Sequence, residues 1–350
     1  MTDGGAPDQI GLFGEALPPA PDGPRKGQRA PDPVPQTAEP RLQPPAALQP
    51  MRRERLHLGT SSWSFPGWAG LVYDVPTSET MLARHGLAAY AGHPLLNAVG
   101  IDRGFYAPIE LEQYRQYAEQ VPEAFRFVVK APGLVTDAAV RDAVGAQRAP
   151  NPSHLDAALA VERFVEPCRD GLGARLGVLV FQFSPLPREW LHDAAAWVAR
   201  LGAFLQALPA GPCYAVELRD AALLTPRLIG VLRDAGALYC IGLHDRMPPI
   251  ERQLRAVDAF ERGTPAPLVV RWSLRRGLGF MEARKRYAPF TRLVDEDLPT
   301  RTQLARKAAA TLDAGRPVYV IANNKAEGSS PLTLARLAEA VAGVVPAAGA

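Results

Sequence analysis

Length, composition and charge exclude several classes of protein before any motif is considered. The chain has 350 residues, of which 47% are hydrophobic and 21% charged, so it can bury a large core. Its apolar runs are too short to span a membrane, and its formal net charge of +3 is too small to indicate a nucleic-acid partner by itself. Three scattered cysteines and a start without secretory features favour a reducing compartment, so we expect a cytoplasmic protein.

Residues 1–54 form a proline-rich segment that we expect to be disordered. The first 52 residues hold 12 of the 35 prolines and few aromatic or β-branched residues. A segment of this composition buries too little apolar surface to offset the entropy lost on ordering. The segment is therefore predicted to be a tail and not a domain.

One short apolar island interrupts this tail, at residues 9–13 (Gln-Ile-Gly-Leu-Phe). It resembles the Gln-x-x-Leu-Phe peptide by which many bacterial replication and repair proteins bind the sliding clamp. The resemblance implies that Leu12 and Phe13 fill an apolar pocket of the clamp while Gln9 anchors the peptide backbone. A chance match in a tail is the alternative.

From residue 55 to residue 345, apolar β-rich runs alternate with amphipathic segments, which predicts one domain of βα units with a parallel sheet. The predicted helices are 110–120, 155–164, 190–208, 226–234, 301–314 and 331–341. The count of eight strands favours an α/β fold of the TIM-type (β/α)8 barrel class. An open doubly wound sheet is the alternative, although no Gly-x-Gly-x-x-Gly turn follows the first strand. The predicted strands are 56–61, 96–101, 125–130, 176–181, 213–218, 237–243, 267–272 and 317–323.

Polar residues follow these strands at the ends where barrel enzymes place their chemistry. Burying so many charged groups around one barrel mouth is costly unless they pair with each other or with a ligand. Two strand-end arginines indicate an anionic ligand, because a guanidinium matches a carboxylate or phosphate. We expect ligand contacts from Ser61, Trp63, Tyr106, Gln182, Arg219, His244, Arg271, Asn323 and Asn324.

Three strand-end residues are candidate catalytic groups. Glu217 directly follows an apolar strand, where partial desolvation would raise its pKa and suit it to general acid/base work. Lys130 could be a base of lowered pKa, a Schiff-base nucleophile or an anion clamp, and the structural alternative is an ion pair with Glu217 or Asp102. Asp102 is the third candidate, as the carboxylate at the end of the second strand.

We expect neither a metal ion nor a cofactor. Of the six histidines only His244 falls at a strand end, and no pair of cysteines has metal or redox spacing. One divalent ion held by His244, Asp245 and Glu217 stays open as an alternative.

The stretch from Arg271 to Arg292 is basic, and Phe280, Tyr287 and Phe290 lie among its basic residues. Basic side chains interleaved with aromatic ones suit single-stranded nucleic acid or a phosphorylated ligand, and the loops after strands seven and eight often hold phosphate in barrels. We expect this stretch to lie over the barrel mouth. A solvated basic face is the alternative.

Six blocks in chain order, spread over about residues 56–340, resemble those of the YecE-like proteins, known as domain-of-unknown-function family 72. The resemblance implies a TIM-type barrel and carries no established activity. The first block is Leu-Gly-Thr-Ser-Ser-Trp-Ser-Phe at 58–65, with Trp68, Gly70 and Tyr73 after it. The others are at 105–106, 125–132, 181–185, 215–219 and 318–324.

Departures from the family's pattern fall at the polar mouth. Where the resemblance implies a carboxylate the chain has Gly100, and where it implies histidines the chain has Asp137, Asp220 and Ser273. A mechanism that used those imidazoles for proton transfer should therefore be impaired in this chain.

Three hypotheses follow. The first is a metal-independent enzyme acting on an anionic, phosphorylated or nucleic-acid-derived ligand, with Glu217 as acid/base and Lys130, Arg219 and Arg271 as clamps. The second is a non-catalytic ligand-binding or scaffold protein that reaches replication or repair sites through residues 9–13. The third is a metal-dependent isomerase or nuclease.

Overall fold

A computed structural model describes residues 34–38, 42–141 and 147–345 of the chain. Eight parallel strands form a closed barrel in which each strand pairs with its neighbours in sequence and the eighth pairs with the first. This confirms the predicted barrel, and the ends of the observed strands differ from the predicted ones by at most two residues. The strands are β1 Leu56–Thr60, β2 Ala98–Ile101, β3 Arg126–Lys130, β4 Leu176–Gln182, β5 Tyr214–Glu217, β6 Leu238–Leu243, β7 Leu268–Trp272 and β8 Val318–Ala322.

The helices cover the outside of the barrel, and a short antiparallel hairpin, Ala139–Arg141 with Gln147–Pro150, follows β3. Among the described residues no helix is long and apolar enough to cross a membrane. The helices are α1 Pro50–Arg55, α2 Glu79–Ala91, α3 Leu111–Glu119, α4 Gly133–Thr136, α5 Ala157–Ala160, α6 Glu166–Leu172, α7 Arg188–His192, α8 Ala194–Gln206, α9 Pro226–Asp234, α10 Ile250–Glu261, α11 Phe280–Tyr287, α12 Leu298–Asp313 and α13 Ser330–Ala342, with a π-helical turn Val161–Val165 joining α5 to α6.

Local capping explains where the helices depart from the prediction. The segment predicted as one helix at 190–208 is two helices, because Asp193 leaves the helical region and its side chain accepts a hydrogen bond from the Ala196 N–H. The helix predicted to start at residue 155 starts at Ala157, after Asp156 caps the Leu159 N–H. In both cases the boundary is set by an Asp whose side chain accepts a hydrogen bond from the backbone N–H three residues later.

Two apolar layers hold the barrel together. The larger one lies between the strands and the surrounding helices, and the smaller one fills the barrel interior. Side chains alternate along a strand, so the interior receives every second residue. The interior layer contains Ala98, Val128, Val178, Val180, Ala215, Leu238, Cys240, Val269, Tyr319 and Ile321.

The structure describes residues upstream of the predicted boundary at residue 54. The helix Pro50–Arg55 leads directly into β1, and Arg52 on it is buried. The Arg52 guanidinium donates to both carboxylate oxygens of Asp313 at 2.7 Å and to the carbonyl oxygens of Val341 and Val344. Further upstream, the Ala38 N–H donates to the Val72 carbonyl oxygen. The boundary of the predicted tail is therefore corrected, because at least residues 42–54 pack against the barrel, where Arg52 satisfies orphan carbonyl groups of the last helix.

Candidate functional site

The alternation of side chains along the strands brings a ring of polar groups to the mouth of the barrel. Asp102, Lys130 and Gln182 lie two or four residues beyond interior apolar positions on β2, β3 and β4. Glu217 and Arg271 each lie two residues beyond an interior apolar position, on β5 and β7. Because every second residue faces inward, these side chains form the layer above the apolar interior.

Arg271 is the centre of this layer. Its Nη2 donates to both oxygens of Asp102, at 2.7 and 2.6 Å, and its Nη1 donates to Glu217 Oε2 at 2.6 Å and to Gln182 Oε1 at 3.0 Å. One guanidinium therefore joins the ends of three other strands across the barrel. Such charge-assisted bonds are short and directional, so the geometry of the mouth is held rigidly.

Glu217 is fully buried and faces two arginines. Its second oxygen, Oε1, lies 2.6 Å from Nη2 of Arg219, which also donates to Gln182 Oε1 at 3.0 Å. Burial alone would raise the pKa of Glu217, but the charges of Arg219 and Arg271 outweigh it and lower that pKa. The prediction that desolvation raises the Glu217 pKa is therefore wrong, because the sequence did not show that both arginines reach the same carboxylate.

Lys130 is an ionisable group at the mouth that takes no part in this network. Its side chain is 8% exposed and its Nζ lies 3.6 Å from the centre of the Phe105 ring. Among the described residues, no hydrogen bond or ion pair engages Nζ, so the predicted alternative of an ion pair with Glu217 or Asp102 is not observed. Burial lowers the pKa of Lys130 to about 7, and the positive charges of Arg271 and Arg219 also lower it, against the opposing effect of Asp102 and Glu217.

Tyr106 and His244 stand at the rim of the mouth. Tyr106 is 45% exposed, and partial burial together with the carboxylates of Asp102 and Asp137 raises its pKa to about 12. His244 contacts the Asp245 carboxylate, yet burial and the nearby charge of Arg219 lower its pKa to about 4. At neutral pH the phenol is therefore protonated and the imidazole is uncharged.

Ser61 and Asn323 form a separate polar pair beside β1 and β8. The Asn323 amide donates to Ser61 Oγ at 2.8 Å, and its oxygen accepts from Nζ of Lys325 at 3.2 Å. Lys325 was not assigned to the site, although it lies two residues beyond Asn323, a spacing that could have indicated it. Burial and the charge of Arg284 lower the pKa of Lys325 to about 8, and Nζ lies 4.4 Å from the centre of the Phe280 ring. Phe105 is likewise a site residue that sequence reasoning missed.

Trp63 and Asn324 were predicted to bind ligand, but their side chains are used to hold loops in place. The buried Trp63 indole donates to the Leu82 carbonyl oxygen at 3.1 Å. The Asn324 amide oxygen accepts from Trp68 Nε1 and from the N–H and hydroxyl of Ser330. Ligand binding by these two residues stays a prediction.

The alternative of a metal ion held by His244, Asp245 and Glu217 gains no support from this geometry. Within the described ranges, no three His, Cys, Asp or Glu side chains are grouped so that they could hold an ion. Both oxygens of Glu217 already face guanidinium groups. Replacing those partners with a cation would leave two buried arginines uncompensated.

The basic stretch after β7 packs beside β8 at the edge of the mouth. The Arg275 N–H donates to the Lys325 carbonyl oxygen, and Arg286 forms an ion pair with Asp295 at 2.7 Å. Arg284 and Lys285 on α11 are exposed. Nucleic-acid binding through this stretch stays a prediction, and the clamp-binding peptide at residues 9–13 lies outside the described residues.

The comparisons with known proteins agree with this architecture. Residues 57–348 match the model of a family described as "Protein of unknown function DUF72". The chain belongs to the DUF72 family. A comparison with curated proteins gave no match.

Solved structures of two DUF72 proteins are similar in fold. One, from Enterococcus faecalis, is 18% identical, has a TM-score of 0.54, and the match covers 83% of this chain and 97% of that one. The other, from Thermotoga maritima, is 17% identical with a TM-score of 0.54, over 81% of this chain and 97% of that one. At these identities the likeness concerns the fold.

In this DUF72 protein, two of the positions where the resemblance implied histidine have structural uses. Asp220 Oδ2 accepts a hydrogen bond from the Leu186 N–H at 2.8 Å, which fixes the loop after β4. The Ser273 N–H donates to the Leu243 carbonyl oxygen and so continues the pairing of β7 with β6. These substitutions leave the charged network around Arg271 intact.

Proposed function

We propose that this protein is an enzyme that binds a small anionic substrate at the barrel mouth, and that Lys130 both attracts the anion and exchanges a proton with it. The proposal keeps the site predicted from the sequence but moves the acid/base role from Glu217 to Lys130. The observation that carries it is the balance of charges in the mouth.

Two arginines and two carboxylates neutralise each other within the network. Arg271 faces Asp102 and Glu217, and Arg219 faces Glu217. When Lys130 is protonated, its ammonium adds a charge for which this network contains no counter-charge. A buried cation without a partner is costly, so a bound anion would supply the missing charge.

The remaining members of the network are then positioning residues. Both nitrogens of the Arg271 fork are occupied by side chains of the protein, so this arginine organises the mouth and is not its anion clamp. Glu217 has its pKa lowered, and its two carboxylate oxygens pair with the two arginines. Because this network is held by short hydrogen bonds, the electrostatic field that it exerts on the Lys130 ammonium is fixed before substrate binds.

Binding and protonation of Lys130 are coupled in this proposal. An anion beside Nζ favours the charged form and raises the Lys130 pKa above about 7. Anion affinity should therefore be highest below pH 7 and should fall by up to about tenfold per pH unit above it, because the amine must first take up a proton.

The experiment is a thermal-unfolding series with inorganic phosphate and with pyruvate at pH 6 and pH 8.5. A ligand at about 100 times its dissociation constant stabilises the folded state by roughly 2.7 kcal/mol, which raises Tm measurably. In the wild type we expect either anion to raise Tm at pH 6 and to raise it less at pH 8.5. In Lys130→Met we expect no increase in Tm at either pH. Lys307→Met is the matched control, because Lys307 is paired with Asp258 and Glu261 on the outside of the barrel. Equal shifts in the wild type and Lys130→Met would reject the proposal.

A second candidate is the non-catalytic ligand-binding or scaffold protein. The observation that favours it is that Arg271, with 6% of its side chain exposed, fills the centre of the mouth with bonds to the protein itself. The missing histidines also favour it. If the protein is only a scaffold, neither anion would stabilise it at any pH, and recruitment through residues 9–13 would be the function to test.

A further inference from the structure

Three features of Lys130 concern its reactivity as an amine and not only its charge. Nζ lies against the Phe105 ring, which covers one side of it with carbon atoms. The carboxylates of Asp102 and Glu217, which could have formed ion pairs with Nζ, are instead held by Arg271 at 2.6 Å. The Nζ group is thus buried at the carboxyl end of β3, and no described residue uses its lone pair or its protons in a hydrogen bond.

We propose that Lys130 is a Schiff-base nucleophile, and that the substrate is a small carbonyl compound with an anionic group. This inference rests on the proposed function and deepens it, because it names the electrophile that the anion accompanies. A lysine attacks a carbonyl only as the neutral amine, and a desolvated amine beside other cations is the usual way to obtain one. Arg219 and Arg271 supply those cations, and burial lowers the Lys130 pKa to about 7, so about half of the amine is neutral at that pH before an anion binds. The ammonium form attracts the anionic group, and the neutral form in equilibrium with it attacks the carbonyl.

The reaction balances without any further reagent. The Nζ lone pair forms a bond to the carbonyl carbon as the carbon–oxygen π bond breaks, and one proton passes from the nitrogen to the oxygen to give a neutral carbinolamine. The carbon–oxygen bond then breaks, the hydroxyl leaves as water after accepting a second proton, and a protonated imine remains. Tyr106 carries a protonated phenol at neutral pH, its ring packs against Phe105, and it is 45% exposed, so we assign it as the donor of that proton, which it recovers from solvent.

Lys325 provides an internal comparison within the same mouth. Its Nζ donates to the Asn323 amide oxygen at 3.2 Å, and its pKa is lowered only to about 8. A smaller fraction of Lys325 is therefore neutral at pH 7, and its amine is held by a hydrogen bond. Lys130 should react before Lys325 does.

The test is reductive trapping of the imine in the full chain. The chain has five lysines, so an adduct can be assigned by peptide mapping. Protein at pH 7 is incubated with pyruvate, with dihydroxyacetone phosphate or with acetone, and then treated with borohydride. We expect one adduct per chain on Lys130, with a mass gain equal to that of the probe less one oxygen atom. Because its neutral fraction exceeds that of an ordinary lysine by roughly a thousandfold at pH 7, labelling should be at least about tenfold faster than at other lysines.

Two variants and one neutral probe make the outcome specific. Lys130→Arg should give no adduct, whereas Lys285→Arg, which changes an exposed lysine on α11, should label like the wild type. Acetone should label Lys130 more slowly than either anionic probe. Mapping of the wild-type adduct stays decisive even if Lys130→Arg folds poorly.

Absence of a borohydride-dependent adduct with both anionic probes would overturn the inference, and so would equal labelling of all lysines. The thermal-unfolding series with phosphate distinguishes failure of this inference from failure of the proposed function. If phosphate still stabilises the wild type and not Lys130→Met, the anion site stands and only the imine is rejected. If neither stabilisation nor trapping is seen, both are rejected.

Discussion

Replacing Lys130 by Met removes a titrating amine from the barrel mouth while keeping a side chain of similar length under the Phe105 ring. In the folded protein the Lys130 pKa is about 7, against a usual value of 10.5 that applies to the unfolded chain. Below pH 7 both states carry the proton, so the cost of burying the ammonium is fully present. As pH rises through 7 the folded state loses its proton while the unfolded state keeps it, and the wild type gains stability until about pH 10.5.

The size of this effect follows from the shift in pKa. One pKa unit corresponds to about 1.4 kcal/mol, so the free energy of unfolding of the wild type should rise relative to Lys130→Met by roughly 3 kcal/mol between pH 7 and pH 9.5. Other titrating groups contribute equally to both proteins and cancel in the difference. At pH 6 the wild type should be less stable than Lys130→Met. By pH 9.5 this difference in the free energy of unfolding should be smaller or have the opposite sign.

Urea unfolding at half-unit steps from pH 6 to pH 9.5 measures this difference directly. Lys307→Met is again the control, because ion pairs with Asp258 and Glu261 raise the Lys307 pKa, and its difference curve should be flat over this range. A flat curve for Lys130→Met would show that Lys130 titrates like an exposed lysine, and the reasoning on both its acid/base and its nucleophilic role would fail.

Three further predictions concern the network, the barrel and the tail. Glu217→Gln leaves two buried arginines without a full counter-charge. We expect the free energy of unfolding, measured by urea titration, to fall by roughly 3–5 kcal/mol. A variant as stable as the wild type would contradict the proposed charge network. Gly59→Ala places a methyl group 2.3 Å from a backbone oxygen of the adjacent strand, so the free energy of unfolding should fall by about 3 kcal/mol or more. Gly279 has open space around it, so Gly279→Ala should have the Tm of the wild type. Changing Leu12 and Phe13 together to Ala should abolish capture by an immobilised bacterial sliding clamp, and undiminished capture would rule out this docking peptide.

Much of the architecture follows from local patterns along the chain. Eight apolar runs separated by amphipathic segments predict the closed barrel, and the alternation of side chains along each run predicts which residues face inward. Lys130, Glu217 and Arg271 could be assigned to one mouth for this reason, since parallel strands in a barrel end at the same face. The six family-like blocks indicate the same fold and the DUF72 family, which the family model matches over residues 57–348.

The ionisation of the mouth was decided only by the tertiary structure. Asp102 and Arg271 are 169 residues apart in the chain and bond through both carboxylate oxygens, which no local pattern indicates. A pKa depends on distances to other charges and to water, so Glu217, which the sequence suggests as a base, is instead a carboxylate of lowered pKa that pairs with two arginines. The same two arginines hold the carboxylates of Asp102 and Glu217, so that among the described residues Lys130 forms no ion pair. This pairing between distant strand ends is set by barrel closure and not by neighbours in sequence.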